Sequence, residues 1–151
     1  MVSIMDRYDF MKEALNMARL AYESDEVPVG CVIVKDNSII AKAGNLSKSL
    51  GCATKHAEIL AIEEASQVLR SSNLSGCDLY VTLEPCPMCA GAIINAKISK
   101  VVFGAFDLNY GACGSVTNTF SLPNIHKPEC YGGIMEDECS NLLSDFFRKL
   151  R

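Results

Sequence analysis

The stretches that decide the fold are His56-Ala57-Glu58 and Pro85-Cys86-Pro87-Met88-Cys89. Cys86 and Cys89 are three residues apart, and on a helix this spacing places both sulfur atoms on one face. His56 adds a nitrogen ligand from elsewhere in the chain. Such a Cys₂His set leaves a tetrahedral zinc with one open position, which usually holds a water whose pKa the metal lowers to about 7.

Glu58 lies two residues after the histidine, where it is better placed to move protons than to complete the metal's coordination. A histidine, a glutamate at the second position after it and a Pro-Cys-x-x-Cys stretch form the signature of zinc-dependent deaminases. Each part alone has a simpler interpretation. His56 suits a helix start, Glu58 suits a first helical turn, and the cysteine pair suits a redox dithiol or half of a structural zinc site. None of these simpler interpretations explains the three parts together.

The composition indicates a globular protein. A chain of 151 residues, 49% hydrophobic and 21% charged, suits one domain with a substantial core, so we expect a single zinc-dependent deaminase domain over residues 1–151. No apolar run is long enough to span a membrane, and the N-terminus lacks the layout of a signal peptide. We therefore expect a cytoplasmic protein without membrane association. In that compartment the eight cysteines would be reduced, two on zinc and six as small buried hydrophobes.

The net charge of −4 argues against a broad basic face for nucleic acid, although it leaves room for a small basic patch near a pocket. The last residues, Arg148, Lys149 and Arg151, are basic. They suit either a solvated helix end or a contact with phosphate.

Hydrophobic periodicity predicts helices and strands in alternation. Helical spacing indicates an amphipathic helix from about Met5 to Glu23. Two β-branched runs, 29–34 and 38–43, predict a hairpin, and Gly30 within it indicates a close backbone approach or a bulge. The remaining predicted elements are a helix over 56–69, a strand over 78–83, a helix from about 86, a strand over 100–104 and a helix over 135–150. This alternation favours a layered α/β domain.

The chain carries further recognisable stretches beyond the zinc motifs. They are Glu26-Val27-Pro28-Val29-Gly30, Asn45, YVTLEPCPMCAGA at 80–92, VVFGAFD at 101–107, Gly111–Ser115 and DECSNLLSDFFR at 137–148. With them the sequence resembles, over nearly its whole length, the bacterial tRNA-specific adenosine deaminases of the cytidine deaminase-like superfamily. The zinc motifs mark only the superfamily, whereas the stretches after Cys89 and near the C-terminus point to the tRNA enzymes.

The resemblance implies both a fold and a function. The fold would be a three-layer α/β/α arrangement, with a central five-stranded sheet flanked by helices. Its fifth strand is implied by the family and is not indicated by periodicity. The protein would be a homodimer with one zinc ion per subunit. Its partner would be the anticodon stem-loop of a tRNA, whose wobble adenosine it would convert to inosine with release of ammonia.

The resemblance also assigns roles to residues. His56, Cys86 and Cys89 would hold zinc, and Glu58 would be the catalytic proton shuttle. The substrate-binding residues would be Asn45 on the target nucleoside, Asp107 on the ribose side, the backbone of Ala57 and the pocket edge at Pro28 and Val29. From the residues alone, Asp107 is as readily interpreted as a turn-forming residue before the glycines.

One departure from the family concerns Lys55. The family often has an Asp-Pro-Thr-Ala-like run before the histidine, whereas this chain has Cys52-Ala53-Thr54-Lys55. Lys55 then either changes how the loop packs or contacts phosphate.

Two other functions remain open at this point. One is a deaminase of a free base or nucleoside, such as guanine or cytosine, which would use the same metal chemistry. The other is a non-catalytic zinc-binding module, in which a protein ligand would close the fourth zinc position.

Overall fold

Four α-helices and five strands make up the described part of the chain, which in this computed structural model is residues 5–151. The helices are α1 (Arg7–Glu23), α2 (Ala57–Leu69), α3 (Pro87–Ala96) and α4 (Glu136–Lys149). The strands are β1 (Gly30–Lys35), β2 (Ser38–Gly44), β3 (Cys77–Leu83), β4 (Lys100–Ala105) and β5 (Glu129–Tyr131). In this range no helix combines the length and the apolar character of a membrane span.

The strands form one mixed sheet in the order β2-β1-β3-β4-β5. β1 pairs antiparallel with β2 and β3, whereas β3, β4 and β5 are parallel. The chain crosses from β3 to β4 through α3, as parallel neighbours require. Because β3 and β4 are parallel, their carboxyl ends at Leu83 and Ala105 lie side by side. The candidate site lies at this edge of the sheet.

Residues of β1 alternate between two hydrophobic cores. Cys31 and Ile33 belong to the core that contains α2 and α3, whereas Val32 and Val34 belong to the core that contains α1 and α4. Helices therefore cover both faces of the sheet. This confirms the three-layer α/β/α fold with five strands, including the strand that only the resemblance implied.

The α1 helix crosses the sheet at Gly30. A Cβ atom at this position would overlap the backbone of Ala14 and would lie 2.5 Å from the nitrogen of Ala18. Gly30 is in regular register with Gly44, and the β-bulge of the hairpin lies further along, between Ile33 and Val34. Close backbone approach, the first of the two predicted reasons, therefore explains the glycine.

The first helix begins at Arg7 and not at Met5 as predicted. Asp6 is its N-cap: the Asp6 carboxylate accepts a hydrogen bond from the backbone N–H of Asp9, and the Asp9 carboxylate accepts one from the N–H of Asp6. This reciprocal capping box satisfies two backbone donors at the helix start. Hydrophobic spacing alone does not locate such a boundary.

The cysteines outside the predicted zinc set differ in burial. Cys31, Cys77 and Cys139 are buried as predicted, but Cys52, Cys113 and Cys130 are only half-buried, so the prediction is wrong for these three. Cys113 and Cys130 hydrogen-bond to each other, which raises the pKa of Cys113 and lowers the pKa of Cys130. All eight cysteines are free thiols.

Candidate metal centre

Two helices begin at the predicted metal ligands. His56 is the N-cap of α2 and Cys86 is the N-cap of α3, both with extended backbone. Cys89 lies in the first turn of α3. On an ideal helix, residues two positions apart point about 200° apart. Because the N-cap residue is outside the helix, His56 and Glu58 can nevertheless face the same site.

The three ligand atoms converge at these helix starts. His56 Nδ1 lies 3.6 Å from the Sγ atom of Cys86 and 3.6 Å from that of Cys89. A tetrahedral zinc with ordinary bonds of about 2.3 Å to sulfur and about 2.0 Å to nitrogen would separate these atoms by about 3.6 Å. The donor set and its spacing therefore fit zinc. Among residues 5–151, no fourth His, Cys, Asp or Glu joins the group.

The electrostatics of the cluster favour a cation. Hydrogen bonds from Cys89 and His56 lower the pKa of the Cys86 thiol to about 4. The hydrogen bond with Cys86 in turn raises the pKa of His56. Cys89 is the thiol that keeps its proton, because its hydrogen bond to Cys86 and its burial raise its pKa. The positive ends of both helices also favour thiolates, and metal binding would release the remaining proton.

Glu58 lies beside the ligands in the first turn of α2 but is not one of them. Its side chain is 4% exposed, and burial raises the pKa of its carboxyl group to about 7. A carboxyl group near neutrality can both accept and donate a proton, which is what general acid–base catalysis requires.

A cavity of about 350 Å³ opens next to this cluster. Its volume lies within the range of small-molecule sites. The residues that line it come from both parallel strand ends, both helix starts and the loops beside them: Val27, Val29, Asn45, His56, Glu58, Leu83, Glu84, Cys86, Asp107 and Tyr110. The cavity therefore brings the predicted metal ligands His56 and Cys86 together with the predicted catalytic residue Glu58. It is also lined by three of the predicted substrate-binding residues, which are Val29, Asn45 and Asp107.

Asn45 begins the loop on one side of the cavity. Its Oδ1 atom accepts hydrogen bonds from the N–H and the hydroxyl of Ser47, and its Nδ2 group donates to the carbonyl of Val27. The same loop is held by Glu26, a buried carboxylate that accepts from the N–H groups of Lys48 and Ser49. One N–H of the Asn45 amide remains to donate into the cavity.

Asp107 lies on the opposite side, in the loop after β4. Its Oδ1 atom accepts hydrogen bonds from the N–H groups of Asn109 and Tyr110, both at 3.0 Å. The turn-forming interpretation is therefore correct for Oδ1. Because Asp107 also lines the cavity, its second oxygen is available to a substrate, so the two interpretations of this residue do not exclude each other.

Comparison with known proteins places the chain among deaminases. The profile of the MafB19-like deaminase family matches residues 5–151. The tRNA-specific adenosine deaminase of Bacillus subtilis is 47% identical over 143 residues, which cover 94% of this chain and 89% of that protein. The chain belongs to the tRNA-specific adenosine deaminase family.

Solved structures of this family and of a neighbouring one share the fold. A structure from work on A-to-I editing by tRNA:A34 deaminases superposes with a TM-score of 0.88 at 46% identity, covering 91% of this chain and all of that one. A guanine deaminase from Bacillus subtilis superposes with a TM-score of 0.67 at 36% identity, covering 77% of this chain and 74% of that one. The tRNA deaminase structure is thus more similar to this chain than the guanine deaminase in TM-score, in sequence identity and in coverage.

Two of the residues that the family resemblance assigned to the substrate do not line the cavity. Pro28 and Ala57 are buried, and neither is among the lining residues. Ala57 is the first residue of α2, so its N–H has no acceptor within the helix. Its role, which was assigned to its backbone, stays a prediction, and the Pro28-Val29 edge contributes to the lining through Val29.

Sequence reasoning missed several lining residues, above all Glu84 and Tyr110. Glu84 follows β3 directly and is 2% exposed. A carboxylate at the end of an apolar strand, with no basic residue beside it in the sequence, is the signal that could have found it. Tyr110 lies at the mouth of the cavity and is 70% exposed. No periodic pattern marks such a loop residue.

Three of the four basic residues that were considered as phosphate contacts are paired within the chain, and among residues 5–151 no ion pair includes the fourth, Arg151. Lys55 Nζ lies 3.1 Å from a carboxylate oxygen of Glu63 on α2, which favours the loop-packing interpretation. At the end of α4, Arg148 and Lys149 both pair with Asp145. These pairs favour the solvated-end interpretation of the last helix.

Proposed function

We propose that this protein converts the wobble adenosine of a tRNA anticodon to inosine and releases ammonia. The observation that carries the proposal is the combination in one cavity of a Cys₂His ligand set, which leaves one metal position open, and a buried carboxylate that is not a ligand. Membership of the tRNA-specific adenosine deaminase family supports the choice of substrate.

The chemistry is a hydrolytic substitution at C6 of adenine. Zinc, held by His56, Cys86 and Cys89, would supply a water of lowered pKa as the nucleophile. Glu58 would take a proton from the attacking water and deliver protons to the ring nitrogen and to the departing amine. The water oxygen forms a bond to C6 and the C6–N6 bond breaks. One water is consumed and one ammonia is released per adenosine.

The remaining lining residues place the base and its sugar. The free N–H of the Asn45 amide and the N–H of Ala57 donate to acceptors on the purine ring. The second oxygen of Asp107 accepts from a ribose hydroxyl. Val29 and Leu83 provide apolar contact for the faces of the base.

An RNA substrate suits the open rim of the cavity. Tyr110, at its mouth, and Leu108, in the same loop, are 70% and 81% exposed. The exposed Tyr110 ring provides a stacking surface for an unpaired nucleotide, Leu108 provides an apolar contact beside it, and an anticodon loop presents unpaired bases. Deamination of a free purine is the second candidate, because a guanine deaminase shares the fold at 36% identity.

The proposal includes a homodimer with one zinc per subunit in a single domain over residues 1–151, working in the reducing cytoplasm. The α3 helix supports the dimer, since Met88, Gly91 and Ala92 are only partly buried at helical spacing. Apart from its chain neighbours and the backbone of its own helix, a Cβ atom on Gly91 would meet no atom within 4 Å. Because Gly91 and Ala92 are small, this open face allows close approach by a second copy.

The deciding experiment supplies an anticodon stem-loop with adenosine at the wobble position to the purified, zinc-loaded protein. Mass spectrometry would detect inosine, with free adenosine, guanine and cytosine assayed in parallel. A stem-loop with its adenosine moved one position is the matched control. We expect inosine only at the wobble position. Turnover of a free base with intact RNA would overturn the substrate and leave the roles of the metal ligands and Glu58 in place.

A further inference from the structure

Glu84 is a buried carboxylate without a cation. It is 2% exposed, and none of the ion pairs within residues 5–151 includes it. Its backbone N–H continues the sheet by donating to the carbonyl of Ala105 at 2.8 Å. A buried charge of this kind must be compensated by hydrogen bonds, because the protein interior solvates it poorly.

Four donors from one loop provide that compensation. Oε1 accepts from the N–H of Asp107 at 3.1 Å and from the hydroxyl of Ser115. Oε2 accepts from the N–H of Cys113 at 3.0 Å and from the N–H of Ser115 at 3.1 Å. An ionised carboxylate has about four lone-pair positions, and these four donors use them all. Although Glu84 lines the cavity, it has no acceptor left for a substrate or a proton.

The loop that Glu84 holds, residues 107–115, carries the rim of the cavity. Glu84 binds both ends of this loop, at Asp107 and Ser115, while Tyr110 projects from its middle. The packing is close, because a Cβ atom on Gly111 would lie 2.5 Å from the carboxyl carbon of Glu84. Only glycine fits at this position without moving either the loop or the carboxylate.

We propose that Glu84 is a positioning residue: its buried carboxylate is the anion around which loop 107–115 folds, and it thereby sets where Asp107 and Tyr110 meet the nucleotide. Asp107 contacts the reacting nucleotide and Tyr110 contacts its neighbour, so Glu84 acts on substrate binding through both. The inference rests on the proposed function for its substrate, but the loop geometry can be measured without one.

The structural test is amide hydrogen exchange in the zinc-loaded, full-length protein. In Glu84→Gln, the amide NH₂ group faces at least one backbone N–H donor in either orientation, so the loop loses part of its anchor. The amide nitrogen takes either the Oε1 position, which faces the N–H of Asp107, or the Oε2 position, which faces the N–H groups of Cys113 and Ser115. We expect exchange to accelerate at least about tenfold at the backbone amides that face the NH₂ group, since a lost hydrogen bond to a charged group is worth about that factor or more. Glu26→Gln is the matched control, because it removes an equally buried carboxylate from the other loop.

The exchange measurement distinguishes a local loss of loop anchoring from a general loosening of the protein. The proposal expects Glu26→Gln to accelerate exchange at Lys48 and Ser49 and to leave Asp107, Cys113 and Ser115 unchanged. Unchanged exchange at all three of the amides of Asp107, Cys113 and Ser115 in Glu84→Gln would overturn the proposal. So would an equal acceleration in both variants, since that would indicate general loosening of the protein.

The kinetic test separates positioning from catalysis. Loss of a binding contact that is equal in the ground and transition states raises KM, whereas loss of a proton-transfer group lowers kcat. For the stem-loop, we expect Glu84→Gln to raise KM at least about tenfold, with kcat changed far less and zinc content unchanged. A fall in kcat at constant KM, with a shifted pH profile, would instead identify Glu84 as an acid or base.

A milder variant covers the case in which Glu84→Gln does not fold. Ser115→Ala removes one of the four donors and keeps the backbone N–H, so KM should rise about threefold at constant kcat. An unchanged KM in Ser115→Ala would contradict the proposal. If the wild-type protein acts on free guanine and not on RNA, the proposed function fails, whereas the exchange measurement still decides the role of Glu84.

Discussion

Glu58 and His56 have different proposed roles, proton carrier and metal ligand, although only Ala57 separates them. His56 is outside α2 as its N-cap, whereas Glu58 is inside the first turn. The change from extended to helical backbone between them turns both side chains toward one cavity. The proposed metal ligand and the proposed proton carrier can therefore come from a single short stretch. Cys86 and Cys89 repeat the arrangement of N-cap and first turn at the start of α3.

The Glu58→Gln substitution tests this division of labour. The amide has the shape of the carboxyl group but cannot carry protons, so we expect kcat to fall by about 10²–10⁴-fold or more while one zinc per chain is retained. Elemental analysis gives the metal content, and single-turnover deamination of the stem-loop gives the rate. Activity within a few-fold of wild type would exclude Glu58 as the proton shuttle.

Lys55 stands beside His56, where the family resemblance led us to expect a small residue. It pairs with Glu63, and both side chains are partly exposed, so the pair should contribute at most about 1 kcal/mol. We expect Lys55→Ala to change the free energy of unfolding by no more than that and to leave the salt dependence of the stem-loop KM unchanged. A shallower salt dependence would instead show that Lys55 neutralises a phosphate. Glu63→Ala, which frees Lys55 without removing its charge, is the control.

The residues whose grouping could be predicted from the sequence are those that lie in short contiguous motifs. His56, Glu58, Cys86 and Cys89 have this property, and the structure brings all four together. Glu84 does not lie in such a motif with its partners, because the groups that donate hydrogen bonds to it are 23 to 31 positions away in the sequence. The half-buried state of Cys113 and Cys130 was missed for a similar reason, since it depends on where a loop and β5 lie in the fold.

At the scale of elements, Gly30 determines how closely α1 packs on the sheet. Gly30→Ala would push a methyl group into the backbone of α1, which cannot move aside as a side chain can. We expect the free energy of unfolding to fall by about 3 kcal/mol or more, toward or beyond the upper end for overpacked cores. Chemical denaturation followed by circular dichroism measures it.

Gly91→Ala is the matched control for Gly30→Ala. It makes the same chemical change on a helix face where the chain leaves open space. At concentrations where the protein is monomeric, it should be neutral or stabilising by up to about 1 kcal/mol, because alanine favours the helix. Similar losses in the two variants would mean that glycine flexibility, and not close packing, explains Gly30.

Elements with a strong hydrophobic period were predictable from the sequence, and their ends were less so. The helices and the first four strands bury at least two residues each. The β5 strand has only three residues, none of them fully buried, so periodicity cannot distinguish it from a loop. The start of α1 depends on a capping interaction between Asp6 and Asp9 that hydrophobic spacing does not report.

For the molecule as a whole, the proposed zinc would join two helix starts that follow separate parts of the sheet. A ligand that binds only the folded state stabilises it by RT ln(1 + [L]/Kd), so zinc should raise the melting temperature and a chelator should lower it. Cys86→Ala should abolish that zinc dependence together with zinc binding. Differential scanning calorimetry with and without chelator measures the effect.

Cys52→Ala is the control for Cys86→Ala. Cys52 is a half-buried thiol outside the ligand group, so this variant should keep both its zinc and the zinc-dependent rise in melting temperature. A melting temperature that is insensitive to zinc in the wild-type protein would contradict the assignment of the metal site.

The two buried carboxylates, Glu26 and Glu84, each hold one loop of the cavity rim in place independently of the metal-binding group. Each holds one rim of the cavity, and neither contributes an atom to the metal-binding group. Substitutions in either loop can therefore accumulate in a lineage while the hydrolytic centre stays intact. New substrates could then arise through changes in the rim loops alone. A loop grafted from one relative onto another would fold correctly only when the glutamate that holds it is transferred with it.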